Sequence, residues 1–513
     1  MADNSNEYRF RSSTRNAVAA AVTSVVMGVA SFIERMVFNQ CFISDYLGFY
    51  GLFKNIISII SVAELGMSTA IAYSLFAPLA EDDYEEVNVI MHFFNRVYKL
   101  IGSVILLCGL AITPFMGRFV KTDVSISYVQ LCFVIFLLST VAEYYFYYKS
   151  IIFSASQKEY VNTLITNLCW AIMYVVQIVV SLRTHSFFDY SMCILVFTLV
   201  RCISTNLLAR RQFPYINKPT KRKLSSQSRE KIATNVKGVL LFQIGGVLVN
   251  STDSILISSM VGASILGLYS NYQMITKGLL GFTKILPNAI TASVGNMGAV
   301  ESSEHVVDSY KLIDMSFYLI YGFLSIILFN IVSPIVTVFF GTSRALPLSS
   351  TLIICILFYI QNMKSLYLSY KTSLGLFWYD RARPLIAGAT NIIVSVILGR
   401  WMGLDGILIG TIFTYVVIDL WVEPMVIFHQ GFKTSSHRYI ISTMLRLAFV
   451  IAMMLVTGAI SDMLPVSGLA GIVVRTIVSL AITSIVFFAL YHRNTYVKQS
   501  IKAVRKFIFK KEA

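Results

Sequence analysis

Long apolar runs fill most of this 513-residue chain, and each is close to the ~20 residues that a helix needs to cross a bilayer. Hydrophobic residues make up 56% of the chain and charged residues 13%, which excludes an ordinary water-soluble domain. The sequence therefore predicts an all-α polytopic membrane protein with about 14 transmembrane helices. The predicted spans lie near 16–43, 47–76, 90–116, 124–147, 160–182, 188–209, 236–259, 265–291, 310–340, 348–375, 383–402, 404–428, 440–461 and 468–491.

A short signature occurs twice in the chain, which indicates that the spans form two related halves. LGFY at 47–50 and LGLY at 266–269 are about 219 residues apart, and each lies at a break between two apolar runs. At nearly the same offset, Glu34 aligns with Asp253. Because six spans separate these two acids, the sequence predicts two parallel six-helix lobes with the substrate site between them, followed by two further helices.

Lysine and arginine residues between the apolar runs predict the orientation of the chain. If the N-terminus is cytoplasmic, that side receives roughly five times as many of them as the opposite side, as the positive-inside rule requires. Both termini are therefore predicted to be cytoplasmic. The net charge of +16 does not indicate binding to nucleic acid, because the basic residues do not form one face of a soluble domain. The predicted division is 1–211 for the N-terminal lobe (spans 1 to 6), 212–235 for a basic cytoplasmic linker, 236–432 for the C-terminal lobe (spans 7 to 12), 433–495 for spans 13 and 14, and 496–513 for a basic amphipathic cytoplasmic tail.

Polar residues form stripes along three predicted spans. On span 8, Gln273, Lys277 and Lys284 belong to a series with spacings of three and four, which places them on one helical face. A lysine in hydrocarbon costs several kcal/mol, so this face is predicted to contact a water-filled cavity or paired acids. Spans 7 and 2 have similar stripes, which include Asn250 and Lys54. The three helices are predicted to enclose an aqueous lumen with a cationic track for an anionic substrate.

Two acids at equivalent positions of the repeat are further candidate site residues. Glu34 and Asp253 are either proton or sodium coupling sites, or counter-ions that neutralise basic side chains and hold the lobes together. Glu34 and Arg35 are neighbours on span 1 and point about 100° apart, so each needs its own partner or water. For the lysines, the alternative to a substrate track is pairing with Asp253 or, for Lys284, snorkelling toward the inner headgroups.

Motifs for covalent chemistry are absent from the sequence. It contains no GxxxxGK[ST], HExxH, GxSxG or DxD motif, and its six histidines and seven cysteines are dispersed. The predicted outer connections, at about ten residues, are too short for a catalytic domain. The sequence therefore predicts no enzymatic activity, no cofactor and no metal site. A tyrosine-rich segment at 144–148 is predicted to lie at the membrane interface, where tyrosine is common.

Several short motifs resemble the Wzx-type polysaccharide flippases. LGFYGL at 47–52, ELG at 64–66 and YSL at 73–75 look like the start of these proteins, and GLYSNY at 267–272 looks like their second-lobe counterpart. At the level of the MOP superfamily, the resemblance extends to the MATE multidrug exporters and the lipid II flippases. It implies a V-shaped, alternating-access bundle that moves an undecaprenyl-pyrophosphate-linked oligosaccharide from the inner to the outer leaflet of the bacterial cytoplasmic membrane, for surface polysaccharide biosynthesis.

The resemblance also implies a role for the basic residues, because a doubly charged pyrophosphate gives the span 8 lysines a ligand. Its implied partners are the lipid-linked oligosaccharide, membrane lipids, a polysaccharide polymerase and glycosyltransferases. The predicted substrate-binding residues are Lys277, Lys284, Gln273, Lys54, Arg35 and Asn250.

Three alternatives stay open from the sequence. A MATE-like cation-coupled multidrug exporter requires a more acidic and aromatic cavity, and a membrane glycosyl-polymerase requires an outer catalytic loop. A lipid II flippase agrees with the two spans beyond the commoner twelve, although the order Glu34-Arg35 is the reverse of the one expected there.

Overall fold

The computed structural model describes residues 23, 26–61, 67–218, 220, 222, 224, 251–284, 286–288, 290–291, 294 and 303–499. Every regular element in these ranges is helical, so the predicted all-α class is confirmed. The chain divides into two compact units, Met1–Gly267 and Leu268–Ala513. The predicted linker at 212–235 and the predicted tail at 496–513 lie largely outside the described residues.

Nine stretches in the described part of the chain are long and apolar enough to cross a membrane. Eight of them correspond to single predicted spans, and the ninth includes both spans predicted around Gly403. The stretches are Tyr84–Phe119, Ile126–Phe146, Glu159–Thr184, Phe187–Gln212, Val306–Phe340, Leu348–Leu374, Arg383–Gly431, His437–Asp462 and Gly468–Tyr491.

The described part of the first unit contains eight helices of six or more residues besides the start of α9, and two of them begin at a side-chain cap. Asp83 caps α4 by accepting a hydrogen bond from the backbone N–H of Glu86 at 2.9 Å, and Ser186 caps α7 in the same way. α5 packs against α4 and α7, and α6 packs against α7. The helices are α1 (26–41), α2 (Ser44–Ile60), α3 (Met67–Ala80), α4 (Tyr84–Ile112), α5 (Ile126–Phe146), α6 (Glu159–Thr184), α7 (Phe187–Gln212) and α8, which is described over 251–256 and continues as a π-helical turn, Ile257–Val261.

The second unit is arranged around one long helix. α10 packs against α11 and against the two C-terminal helices, α14 and α15. Asp314 on α10 fixes α14, because its carboxylate accepts hydrogen bonds from Tyr439 at 2.8 Å and from Arg446 at 2.5 Å. The helices are α9 (Ala263–Thr283, within this unit from Leu268), α10 (Ser303–Phe340), α11 (Leu348–Leu374), α12 (Arg383–Thr414), α13 (Leu420–Val426), α14 (His437–Asp462) and α15 (Gly468–Tyr491); π-helical turns Tyr415–Asp419 and Ile427–Gly431 flank α13.

α12 consists of two arms that meet at Gly403. This glycine has φ 58° and ψ −128°, a conformation in the left-handed half of the map that other residues rarely adopt. Side chains on one arm reach the other: Asn391 donates to the Thr411 hydroxyl at 2.9 Å, and Ser395 donates to a backbone carbonyl at 3.0 Å. The chain therefore reverses direction at Gly403, the residue that separates the predicted spans 383–402 and 404–428.

Candidate functional site

The two copies of the repeated signature contact each other in the first unit. A Cβ atom added to Gly48 would lie 2.0 Å from the carbonyl oxygen of Ala263, and one added to Gly267 would lie 2.0 Å from the carbonyl oxygen of Ser44. Ala263 lies one helical turn before Gly267, and Ser44 lies one helical turn before Gly48, so the contact is reciprocal. The two glycines therefore let the first turns of α2 and α9 approach closely, as small residues do in membrane helix pairs.

Glu34 lies in a buried aromatic environment of the first unit. Its side chain is 6% exposed and accepts a hydrogen bond from the Tyr190 hydroxyl at 2.8 Å. The ring of Tyr190 lies 5.0 Å from that of Phe38 and 5.9 Å from that of Phe187, measured between centroids. The packing of α1 against α7 therefore fixes the donor that holds the Glu34 carboxylate in place.

Arg35 and Lys54 both contact the ring of Tyr50, the tyrosine of the first signature. The guanidinium carbon of Arg35 lies 5.9 Å from the ring centroid, and the ammonium nitrogen of Lys54 lies 4.3 Å from it. Both cations also act electrostatically on Glu34. Lys54 is exposed, whereas Nη1 of Arg35 is buried and has no hydrogen-bond partner among the described residues. The structure thus brings two predicted site residues, Arg35 and Lys54, together at Tyr50, which was not among the predicted residues.

Asp253 and Asn250 are the predicted site residues of span 7. Asp253 is buried on α8 at 7% exposure. The next residue, Ser254, accepts a hydrogen bond from the Asn55 side chain at 3.1 Å, which joins α8 to α2. Asn250 lies outside the described residues, so its role stays a prediction.

Gln273 and Lys277 form one hydrogen-bonded pair on α9. Lys277 is exposed, and its Nζ donates to Oε1 of Gln273 at 3.2 Å, one turn earlier in the helix. Together with Thr276 and with Gln361 of α11, they line a small cavity of about 50 Å³ in the second unit. Lys284 is also exposed and follows the last residue of α9. The apolar side chains Leu280, Leu357 and Phe358 also line this cavity, so of the predicted stripe the structure places Gln273 and Lys277 on the wall of a small cavity of mixed polarity.

A buried ionic cluster in the second unit was not predicted as a site. Arg383 donates to Asp380 at 2.9 Å, to Glu423 at 2.7 Å and to Asp419. Its side chain is 8% exposed, although Arg383 begins predicted span 383–402 and counts among the basic residues predicted on the cytoplasmic side. The spacing of Asp380 and Arg383, three residues apart, is the feature of the sequence that could have indicated this ion pair. The members are Lys364, Lys371, Asp380, Arg383, Asp419 and Glu423, with equal numbers of each sign.

Comparison with known proteins identifies the fold. No protein-family model matches the sequence, and no curated protein matches it. Among solved structures, the lipid II flippase MurJ in an inward closed conformation superposes with a TM-score of 0.64 at 12% identity, and the match covers 93% of this chain and 100% of that one.

Two MATE structures are also similar. An inward-facing multidrug resistance MATE transporter of the MOP superfamily has a TM-score of 0.59 at 14% identity and covers 79% of this chain and 98% of its own. The MATE multidrug transporter DinF-BH has a TM-score of 0.53 at 16% identity, with coverage of 79% and 93%. At these identities the similarity establishes that the chain has the fold of MOP superfamily transporters.

Proposed function

We propose that this protein flips an undecaprenyl-pyrophosphate-linked oligosaccharide from the inner to the outer leaflet of the bacterial cytoplasmic membrane, for surface polysaccharide biosynthesis. The fold shared with a lipid II flippase and MATE transporters supports a transporter, as does the apolar length of the helices. Transport proceeds by alternating access, in which the substrate site opens first to one side of the membrane and then to the other. Both termini are proposed to lie in the cytoplasm, and a polymerase and glycosyltransferases are the proposed partners.

The observation that most favours an anionic substrate is the different burial of bases and acids among the predicted site residues. The lysines Lys54, Lys277 and Lys284 are exposed, whereas the acids Glu34 and Asp253 are buried. A pyrophosphate needs accessible cations that donate charge-assisted hydrogen bonds, whereas a cationic drug needs accessible carboxylates. The burial pattern therefore supports a phosphate-bearing substrate over an organic cation.

Each basic residue has a proposed task in binding the headgroup. Arg35 is partly exposed, and a guanidinium binds phosphate oxygens in a fixed geometry. Lys54, Lys277 and Lys284 are proposed to keep their ammonium groups in contact with the pyrophosphate as it moves, because a lysine side chain is flexible. Gln273 and Asn250 are proposed to form hydrogen bonds with polar atoms of the substrate next to the phosphates.

Glu34 and Asp253 are proposed to couple transport to a proton or sodium gradient. We expect Asp253→Asn to abolish the dependence of transport on the gradient while folded protein remains in the membrane. Asp462→Asn is the control, because this exposed aspartate is remote from Asp253 in the sequence and pairs with Arg475. Transport measured in vesicles with and without each gradient decides the point. An unchanged gradient dependence in well-folded Asp253→Asn protein would assign the residue a counter-ion role only.

A lipid II flippase is the second candidate, because the matched MurJ structure covers 93% of the chain whereas the MATE structures cover 79%. Both candidates move a lipid-linked pyrophosphate, so the binding roles above are the same. They differ in the glycan and in the pathway that is blocked when the protein is lost.

Depletion of the protein in its own host separates the candidate functions. Lipids are extracted after depletion, and undecaprenyl-linked intermediates are identified by mass spectrometry. We expect a lipid-linked oligosaccharide to accumulate while lipid II stays constant and surface glycan falls. Accumulation of lipid II supports the second candidate. If the levels of the lipid-linked oligosaccharide and of lipid II both stay constant while sensitivity to cationic dyes increases, a multidrug exporter would replace the two flippase candidates.

A further inference from the structure

A cavity of about 560 Å³ lies within the first unit at the connection between α5 and α6. Its volume falls in the range of roughly 300–1,000 Å³ that is usual for small-molecule sites. The described residues that line it include none of the predicted substrate-binding or coupling residues. The cavity is therefore a separate candidate site.

Tyrosine rings form much of the cavity wall. Tyr98 and Tyr144 are 6% and 7% exposed, and their ring centroids lie 6.0 Å apart at an interplanar angle of 34°. Tyr147 and Tyr148 also line the cavity. Tyr144, Tyr147 and Tyr148 belong to the segment that the sequence predicts at the membrane interface, and Tyr98 joins them from α4, so the wall combines aromatic rings with hydroxyl groups.

The polar groups of the cavity are held in a fixed hydrogen-bonded chain. The Tyr147 hydroxyl donates to Oδ1 of Asn162 at 2.8 Å, and Nδ2 of Asn162 donates to Oε1 of Glu159 at 3.0 Å. Asn162 is 9% exposed, so the chain is anchored in the protein. A ligand therefore meets a carboxylate whose position is set before binding, which lowers the entropy cost of binding.

The charge of the cavity differs from that of the predicted substrate residues. Among the described lining residues the charged ones are Glu143 and Glu159. Glu143 pairs with Arg201, whose guanidinium carbon lies 4.4 Å from the centroid of the Tyr147 ring. The lining thus has no excess of positive charge, which disfavours a phosphate. Carboxylates that accept hydrogen bonds from hydroxyls and aromatic faces that cover C–H groups suit a neutral sugar ring.

We propose that this cavity binds a sugar residue of the transported glycan, separately from the cations that bind the pyrophosphate. The proposal rests on the proposed function, in which the connection between α5 and α6 faces the cytoplasm, where the lipid-linked glycan is made. A site for sugar in the first unit lets the protein recognise the glycan as well as its lipid carrier.

Protection of an introduced cysteine from alkylation tests the site directly. Ser154 lines the cavity and is exposed, so Ser154→Cys is made in the full-length chain after replacement of its seven cysteines. Thr184→Cys is the matched control, because Thr184 is exposed at the opposite end of α6. The purified proteins in lipid nanodiscs react with a maleimide, with and without glucose, galactose, N-acetylglucosamine, rhamnose, tetramethylammonium or inorganic pyrophosphate.

We expect at least one neutral sugar to slow the labelling of Ser154→Cys and not that of Thr184→Cys. At a sugar concentration about ten times its Kd, the rate falls about tenfold, because labelling follows the unoccupied fraction. Protection by tetramethylammonium alone would make this an organic-cation site and overturn the proposal. Protection by pyrophosphate alone, or by none of the probes, would also overturn it.

Two further substitutions link protection to the named side chains. Glu159→Gln and Tyr147→Phe, each added to Ser154→Cys, are expected to remove about half of the protection. Glu159→Gln replaces a carboxylate oxygen by an amide NH2, and Tyr147→Phe removes the hydroxyl that donates to Asn162. The control is Glu81→Gln, at an exposed carboxylate remote in sequence. Full protection in both variants would overturn the assignment. The assay does not measure transport. If a sugar protects the cysteine but depletion causes no accumulation of lipid-linked oligosaccharide, the sugar site stands and the proposed function is overturned. If the oligosaccharide accumulates but no sugar protects the cysteine, only the sugar site is overturned.

Discussion

The charge of Lys277 is the property that the proposed function needs from this residue. The side chain lies on an apolar helix, where an ammonium in hydrocarbon costs several kcal/mol and requires water, an anion or another polar partner. Its hydrogen bond to Gln273 orients the ammonium at the cavity between α9 and α11 but does not neutralise it. The proposed pyrophosphate is an anion that this ammonium can bind by charge-assisted hydrogen bonds.

Substitution of Lys277 should therefore change transport according to charge. We expect Lys277→Arg to retain partial transport, because the cation is kept while its geometry changes. Lys277→Ala should lose most surface glycan, and Lys277→Glu should lose more, because it repels the pyrophosphate in a low-dielectric site. Surface glycan in a flippase-deficient strain is the measurement, with membrane levels checked by immunoblot.

Gln361→Ala, on the facing side of the same cavity, is the control for a change of shape without a change of charge. Full surface glycan in the Ala and Glu variants of Lys277 would show that the pyrophosphate is bound elsewhere.

At the scale of the helices, the reciprocal glycine contact sets how closely the first turn of α2 approaches residues 263–267 within the first unit. Gly267→Ala places a methyl group 2.0 Å from a backbone carbonyl, which the helices relieve only by separating. We expect a loss of about 1–3 kcal/mol in stability and a lower Tm in detergent. Gly278→Ala, on the same helix, meets no atom within 4 Å and should be neutral or slightly stabilising. Equal Tm values for the two variants would contradict the close crossing.

The buried ionic cluster connects α11, α12 and α13 through Arg383. Arg383→Ala leaves three carboxylates without their shared cation, a change that typically costs about 3–5 kcal/mol in a buried site. We expect the Tm in detergent to fall by about 6–10 °C, the shift that such a loss causes in a unit of about 250 residues. Arg381→Ala should have a small effect, because Arg381 is exposed and stacks on Trp378 at 3.8 Å. Similar Tm values for both variants would mean that the cluster does not stabilise the second unit.

For the whole molecule, the orientation in the membrane is a prediction from the distribution of lysine and arginine. In a cysteine-free chain, we expect an impermeant thiol reagent added to intact cells to modify Thr184→Cys and to leave Ser154→Cys and Ser226→Cys unmodified. Thr184 follows span 5 on the predicted outer side, whereas Ser226 lies in the predicted cytoplasmic linker. External modification at Ser226 alone would reverse the orientation and the parallel-repeat argument with it.

The helical class and most helix positions followed from the sequence by itself, and the two-lobe repeat stays a prediction. A bilayer requires long apolar segments whose backbone groups are bonded within the segment, so hydropathy alone locates them. The predicted start of span 14 at 468 coincides with the observed α15, and the break at Gly403 is the observed reversal. Predicted span 47–76, in contrast, corresponds to parts of two helices: α2 ends at Ile60, and α3 begins at Met67.

Only the tertiary structure decided which side chains meet. Tyr50 joins Arg35 and Lys54, Tyr190 bonds to Glu34, and Arg383 is buried among acids rather than exposed. Hydropathy is a property of one segment, whereas these contacts join residues on different helices or far apart in the chain. Helical spacing fixes the face on which a residue lies, but packing between helices determines what that face contacts, and this is why the sequence identified the charges and the structure identified their partners.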